Sequence, residues 1–107
     1  MKEAEKRGYV KLYRKAQDDE VFSNPYAWHL FTYCLLNARI RKNRDLDVGE
    51  FETSQYRISN DLKMSRKTIL KFLKFLKDEG CIDYETDSLR TIIRVLNFSK
   101  YQSSKKD

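Results

Sequence analysis

A row of lysines in one short segment is the feature of this sequence best suited to chemistry with another molecule. Residues 66 to 77 carry five cations and no carboxylate. If the segment is a helix, Lys67, Lys71 and Lys74 project from one side, opposite an apolar stripe. Such a row can neutralise the phosphates of a nucleic acid, or it can simply keep an amphipathic helix soluble. A solubilising face usually mixes charges of both signs, so the pattern favours contact with a polyanion.

The start of the same segment is suited to a more specific contact. Ser65 can cap the helix, and its hydroxyl, that of Thr68 and the first backbone amides can bind phosphate. Arg66 can donate two hydrogen bonds to O6 and N7 of guanine, whereas the lysines are better suited to phosphate. We therefore predict that the N-terminal half of this helix enters the major groove of DNA.

Cations outside this helix form two further groups. Arg90 lies beside a predicted hairpin turn, from which it can reach a minor groove. Arg94 lies farther along the strand and either contacts DNA as well or pairs with a carboxylate on the neighbouring strand. The basic residues near the N terminus can enter an adjacent minor groove, although such clusters also arise without function. The complete set of predicted DNA-binding residues is Lys6, Arg7, Lys11, Arg14, Ser65, Arg66, Lys67, Thr68, Lys71, Lys74, Arg90 and Arg94.

Composition and motifs argue against several other kinds of protein. The 107 residues suffice for one domain and carry a net charge of +6. His29 is the only histidine, and Cys34 and Cys81 have no further ligand nearby in sequence. We therefore expect no metal site, no cofactor and two buried thiols in a reducing cytoplasm. The absence of a nucleotide-binding loop or a nucleophile–base motif predicts a protein that is not an enzyme. No apolar run is long enough to cross a membrane.

Periodicity predicts the elements of the first half of the chain. Residues 1–7 are predicted to be a flexible basic arm, and the alternation in 8–15 indicates a short strand or an extended arm. A helix is predicted over 23–43, with Ser23 or Asn24 as its cap. It should end in three cations that face its C-terminal dipole, Arg39, Arg41 and Lys42. Its buried face should contain Trp28, Phe31, Cys34, Leu35, Leu36 and Ala38.

Two short helices are predicted in the second half, over 55–63 and 66–79. Ser54 and Ser65 are placed to cap them, and Gly80 to end the second. Each helix buries one apolar side, and almost no chain separates them. Two helices joined by so tight a turn are typical of a helix-turn-helix.

Short strands complete the predicted fold. An extended piece at 51–53 precedes the two helices, and a hairpin formed by 81–85 and 90–98 follows them. We therefore predict an α+β winged helix-turn-helix, with three helices and a small antiparallel sheet whose hairpin is the wing. The domain should span 8–98, followed by a polar tail at 99–107.

The order of these motifs is also similar to that of a known family. The stretch GYVKLYRKAQDDEVF, a tryptophan-containing helix and the stretch GEFETSQYRISNDLKMSRKTILKFLKFLKDEGCID resemble the N-terminal winged-helix domain of phage replisome-organiser and replication-initiator proteins. They are also similar to DNA-binding accessory proteins of conjugative plasmids from Gram-positive bacteria. The resemblance covers about residues 8–98. It implies binding to double-stranded DNA at an origin, often as several copies on repeated sites.

The resemblance also narrows the expected role. Replisome organisers carry a further domain that recruits helicase loaders, and this sequence ends soon after the predicted wing. We therefore expect a cytoplasmic accessory factor that recognises an origin of plasmid transfer or of replication, with other replication or relaxosome proteins as further partners. No segment is typical of a dimerisation helix, so we expect a monomer in solution. Two alternatives stay open, a transcriptional regulator and a winged-helix module that binds other proteins.

Overall fold

The computed structural model describes residues 8–87 and 89–102. The predicted arm at 1–7, with Lys6 and Arg7, lies outside the described residues, as do Ser88 and residues 103–107. The predicted α+β class is confirmed, since the described chain forms four helices and one three-stranded antiparallel sheet. The helices are α1 Glu20–Ser23, α2 Pro25–Asn37, α3 Gln55–Leu62 and α4 Arg66–Asp78. The strands are β1 Glu50–Thr53, β2 Ile82–Thr86 and β3 Thr91–Val95.

The sheet has a defined orientation, because β3 lies between β1 and β2. At one end of the sheet Thr91 of β3 is aligned with Thr53 and Thr86, next to the turn at 87–90 that joins β2 to β3. At the other end Arg94 is aligned with Glu50, where the loop at 38–49 enters β1. The hairpin turn and the 38–49 loop therefore lie at opposite ends of the sheet.

The two consecutive helices form as predicted, because each boundary has a local signal. The Ser54 hydroxyl accepts a hydrogen bond from the Arg57 amide at the start of α3, and Lys63 ends that helix in the left-handed region with φ 58°. Ser65 caps α4 by accepting a hydrogen bond from the Thr68 amide at 3.1 Å. Gly80 follows α4 with φ 77°, a conformation that glycine adopts without the strain of a side chain.

The core is assembled on the apolar stripe of α4. Ile69, Leu73 and Leu76 are completely buried, and Phe72 is nearly so. Burial of each of these side chains contributes about 1.5–3 kcal/mol to stability. The stripe packs against α2, α3 and β2. This packing fixes which side of α4 faces solvent.

The predicted boundary of α2 was wrong at its C-terminal end. Asn24 caps the helix through its side-chain oxygen, as predicted, but the helix ends at Asn37. The Arg39 amide donates to the Glu50 carbonyl at 3.0 Å, and the Gly49 amide donates to the Arg39 carbonyl at 2.8 Å. These long-range hydrogen bonds hold the chain in a non-helical conformation after Asn37. The cations at 39–42 therefore do not extend the helix or face its C-terminal dipole. Leu36, predicted to be buried, is 72% exposed.

The N-terminal segment forms no strand between residues 8 and 13. Val10 makes a single antiparallel bridge to Gln102, and a 3-10 helix follows at Arg14–Asp18. A second 3-10 helix, Phe98–Lys100, lies at the start of the predicted polar tail. The Tyr101 ring packs edge-on against Phe31 with the ring centroids 5.8 Å apart. The two ends of the described chain are thus held together beside α2.

Candidate nucleic-acid interface

A chain of hydrogen bonds joins α4, α3 and the β2–β3 hairpin at one end of the molecule. An Arg66 guanidinium nitrogen donates to the Gln55 side-chain oxygen at 3.2 Å. The Gln55 side-chain nitrogen donates to the Thr86 hydroxyl at 3.0 Å, and the hydroxyls of Thr86 and Thr91 are 2.7 Å apart. We call these four residues the polar junction. It brings the first residue of α4 next to the first turn of α3 and the outer end of the hairpin.

The cations of α4 differ in the contacts that their side chains already make. Lys67 and Lys71 are exposed, and neither forms an ion pair with a residue in the described ranges. The Lys71 ammonium lies 5.5 Å from the centre of the Phe72 ring. Lys74, however, pairs with Asp78 at 3.0 Å, which leaves the N-terminal half of α4 as the more electropositive half.

The C-terminal end of α4 is partly neutralised by a second ion pair. Lys77 lies 3.4 Å from an Asp83 oxygen on β2, and its ammonium also lies over the Tyr84 ring. The side chains of both Lys77 and Asp83 are about half exposed, so solvent screens the pair and its contribution is small. Within the predicted row, Lys67 and Lys71 therefore keep a charge that no described carboxylate neutralises, whereas the charge of Lys74 is paired with Asp78.

The hairpin turn is ordered by one carboxylate. A side-chain oxygen of Asp87 accepts hydrogen bonds from the amides of Leu89 and Arg90, at 2.8 and 2.9 Å. Those two bonds, that of Arg90 first, lower the pKa of the Asp87 carboxyl below its ordinary value. The turn holds Leu89 out in solvent with 86% of its surface exposed.

The two arginines of the hairpin both reach the outer face of the sheet, which is the face turned away from the core. Arg90 lies 3.4 Å from Glu52 in an exposed pair, whereas Arg94 donates to Glu50 at 3.1 Å. Only 14% of the Glu50 side chain is exposed, so the Arg94 pair is the better shielded of the two. Arg94 therefore has the second of its two predicted roles, in which it pairs with a carboxylate on a neighbouring strand. That strand is β1 and not its hairpin partner β2. The same face carries the further acidic side chains Asp83 and Glu85.

Lys11 and Arg14, the predicted N-terminal contacts that the structure describes, do not lie near Arg66. The backbone amide of Lys11 donates to the Tyr101 carbonyl at 2.7 Å. Arg14, which is exposed, begins the 3-10 helix beside a cavity of about 480 Å³. The cavity is lined by Trp28, Phe31 and Cys81, and Cys81 follows the far end of α4. Lys11 and Arg14 therefore lie away from the polar junction.

Sequence reasoning missed two features of this surface. Gln55 is the centre of the polar junction, and Arg57 is an exposed cation on the first turn of α3. The capping pattern at Ser54 locates that turn, but no periodicity reveals that Gln55 reaches both α4 and the hairpin. A second basic cluster, Arg39, Arg41, Lys42 and Arg44, lies in the 38–49 loop at the opposite end of the sheet.

The described residues contain no group of three or more side chains that could hold a metal ion. Cys34 is buried and Cys81 is half-buried, and burial raises the pKa of the Cys81 thiol to about 11. Both thiols are therefore protonated at neutral pH, since burial raises the pKa of Cys34 as well. Within the described ranges, no helix has the length and apolar character required to cross a bilayer.

Comparison with known proteins identifies no relative. No protein-family model matches the chain, and no curated protein or solved structure matches it either. The resemblance to phage and plasmid DNA-binding domains therefore stays a prediction.

Proposed function

We propose that this protein binds double-stranded DNA in a sequence-specific manner as a winged helix-turn-helix. In this proposal α3 and α4 are the helix-turn-helix, the N-terminal half of α4 enters the major groove, and the β2–β3 hairpin is the wing. One observation carries the proposal. The exposed cations Lys67 and Lys71, which form no ion pair with any described residue, lie beside Arg66, at the end of the molecule where α3 and the hairpin also converge.

Each group at this end has a part in the proposed complex. Arg66 reads a guanine, while the Thr68 hydroxyl and the amides of Arg66 and Lys67 bind phosphate. Ser65 joins them by releasing the hydrogen bond that its hydroxyl donates to the Thr68 hydroxyl at 2.9 Å. Lys67 and Lys71 neutralise phosphates directly. Lys74 can exchange Asp78 for a phosphate, because the Lys74–Asp78 pair is exposed and weak.

The hairpin contributes less to this complex than the sequence suggested. Arg90 can leave its exposed partner Glu52 and reach the DNA backbone beside the turn. Arg94 is held by Glu50 on the acidic outer face and supports the sheet in this proposal. Lys11 and Arg14 could reach DNA only if it extended past the far end of α4.

The proposed biological role is that of an accessory factor at an origin of plasmid transfer or of replication, acting in the cytoplasm without catalysis. The resemblance noted for residues 8–98 supports this role. A transcriptional regulator would use the same surface, so the position of the binding site in the source DNA distinguishes the two. Several copies on repeated sites, and contact with other replication or relaxosome proteins, fit either role.

A protein-binding module is the second candidate. The outer face of the sheet favours it, because the carboxylates Glu50, Glu52, Asp83 and Glu85 outnumber the cations Arg90 and Arg94 there, and this excess would repel DNA and attract a basic partner. The two candidates make opposite predictions about which face of the molecule a ligand covers.

Mapping the DNA-contacting amides by nuclear magnetic resonance tests the proposal. A duplex is added to ¹⁵N-labelled protein, and the amide shifts are followed. The amides of residues 65–71 and of Leu89 and Arg90 should shift, while those of the 38–49 loop should not. If duplex DNA shifts the 38–49 loop or the outer face of the sheet instead, α4 is not the contact and the proposal is wrong.

A further inference from the structure

Gln55 lies between Arg66 and Thr86 in the polar junction, and each end of its side chain suits the partner that it faces. A guanidinium only donates hydrogen bonds, so the side-chain oxygen of Gln55 must face Arg66. The side-chain nitrogen then points to Thr86 and donates to its hydroxyl. Glutamate could accept from Arg66 but, when ionised, could not donate to Thr86. Glutamate could still join them by accepting the Thr86 hydroxyl hydrogen, whereas glutamine donates to Thr86 and leaves that hydrogen available.

The chain of hydrogen bonds continues onto β3, the central strand of the sheet. The Thr86 hydroxyl accepts the Gln55 hydrogen and also lies 2.7 Å from the Thr91 hydroxyl, a contact in which either oxygen can donate. Thr91 is completely buried and lies between Thr53 and Thr86 in the sheet. The exposed side chain of Arg66 is thereby anchored to a rigid part of the fold.

We propose that Gln55 is a positioning residue that determines DNA sequence specificity. It holds the Arg66 guanidinium in one orientation before DNA arrives and ties that orientation to the hairpin. The inference rests on the proposed function, in which Arg66 reads a base. An unrestrained arginine has many rotamers and can satisfy phosphates in several ways, whereas two hydrogen bonds to guanine require one orientation. Gln55 should therefore favour the correct base over others while contributing little to binding of arbitrary DNA.

The free protein provides the first test, which does not involve DNA. Thr86→Val removes the hydroxyl and nearly conserves the shape of the side chain. Its expected effect is a shift of the Arg66 Nε–H resonance, because Gln55 transmits the change over two hydrogen bonds. Gln17→Met is the matched control, since Gln17 is exposed on the 3-10 helix at Arg14–Asp18. If Thr86→Val leaves the Arg66 resonance unchanged, the junction does not couple the hairpin to Arg66 and the inference is overturned.

The second test measures specificity. Wild type, Gln55→Met, Thr86→Val and Gln17→Met are titrated with the site selected from a random duplex pool and with an unrelated duplex. Gln55→Met should lower the ratio of the two affinities about three- to tenfold, mostly through weaker binding to the selected site. Thr86→Val should do the same to a smaller extent, and Gln17→Met should not. An unchanged ratio in Gln55→Met would overturn the inference.

A double-mutant cycle separates positioning from general stability. In an Arg66→Gln background the Gln55→Met change should no longer alter the affinity ratio, because the side chain that it positions is gone. An equal loss in both backgrounds would show that Gln55 acts on the fold and not through Arg66. If wild type binds neither duplex at low salt, the proposed function fails, and with it the specificity role. The resonance shift in Thr86→Val would still report the linkage in the free protein.

Discussion

Replacing Lys67 and Lys71 together by glutamine should weaken binding to duplex DNA and flatten its salt dependence. Both side chains are exposed on the N-terminal half of α4, and no carboxylate in the described part of the chain pairs with them. Each phosphate contact contributes about 0.9 to the slope of log affinity against log salt concentration. The loss of two contacts should reduce the magnitude of the slope by about 2. At about 0.1 M salt the affinity should fall roughly 60-fold.

Fluorescence anisotropy of a labelled duplex measures both quantities when the titration is repeated at several salt concentrations. The matched control is Lys42→Gln with Lys100→Gln, which changes the net charge by the same amount. Lys42 lies in the 38–49 loop, and Lys100 lines the cavity beside Cys81. Screening limits the effect of such distant charges, so the control should lose about threefold or less with a nearly unchanged slope. If the two pairs behave alike, only net charge matters, and the assignment of α4 as the DNA contact is refuted.

Three further predictions concern the scaffold that supports this surface. Tyr33→Phe should lower the free energy of unfolding by about 1 kcal/mol in urea denaturation, because the Tyr33 hydroxyl donates to Asp61 at 3.0 Å. Tyr56→Phe, at a side chain 75% exposed, should have no measurable effect, and equal losses would contradict the assigned bond. Gly49→Ala should cost more than Gly80→Ala. Both glycines have positive φ, with a cost of about 1–2 kcal/mol for alanine, but only at Gly49 would a Cβ meet another side chain, 3.2 Å from Phe98 Cβ. Similar losses would show that the close approach to Phe98 has no energetic weight. The Asp87 pKa is lowered in the folded state, so its contribution to the turn is present above the ordinary pKa and is lost as the pH falls through the lowered value. The amide shifts of Leu89 and Arg90 should follow that titration by nuclear magnetic resonance, and a midpoint at the ordinary aspartate value would be inconsistent with the two bonds.

The sequence is informative where one short segment contains all the determinants of its structure. α3 and α4 were predicted almost to the residue because Ser54, Ser65 and Gly80 act within one turn of their own helices. The apolar stripe of α4 repeats at helical spacing, so its buried and exposed sides follow from periodicity alone. The same periodicity therefore predicts that the candidate contacts on α4 lie on its exposed side.

The features that were missed depend on partners distant in the chain. α2 ends early because Arg39 bonds to Gly49 and Glu50, and nothing near Asn37 in the sequence indicates this. Alternation at 8–15 predicts a strand only if a partner strand exists, and among the described residues this segment has only the bridge from Val10 to Gln102.

The ion pair of Arg94 was hidden for the same reason, whereas that of Lys74 was not. Lys74 differs from Lys67 through a carboxylate on its own helix, which the pattern could have revealed. Arg94, in contrast, differs from Arg90 because Glu50 on β1 is nearly buried. Gln55 contacts residues 11 and 31 positions away, which no local pattern encodes.

Selection from a pool of random duplexes at increasing salt concentration tests most directly whether α4 reads DNA sequence. The bound fraction is sequenced, and the affinity for the enriched site is measured against salt. We predict one enriched motif, a slope of about −5 if six phosphates are contacted, and relaxed preference at one base pair in Arg66→Gln. The position of the motif, inside an origin or upstream of a gene, would then separate an accessory factor from a regulator. Failure to retain any duplex at low salt, or retention without enrichment of a motif, would contradict sequence recognition by α4.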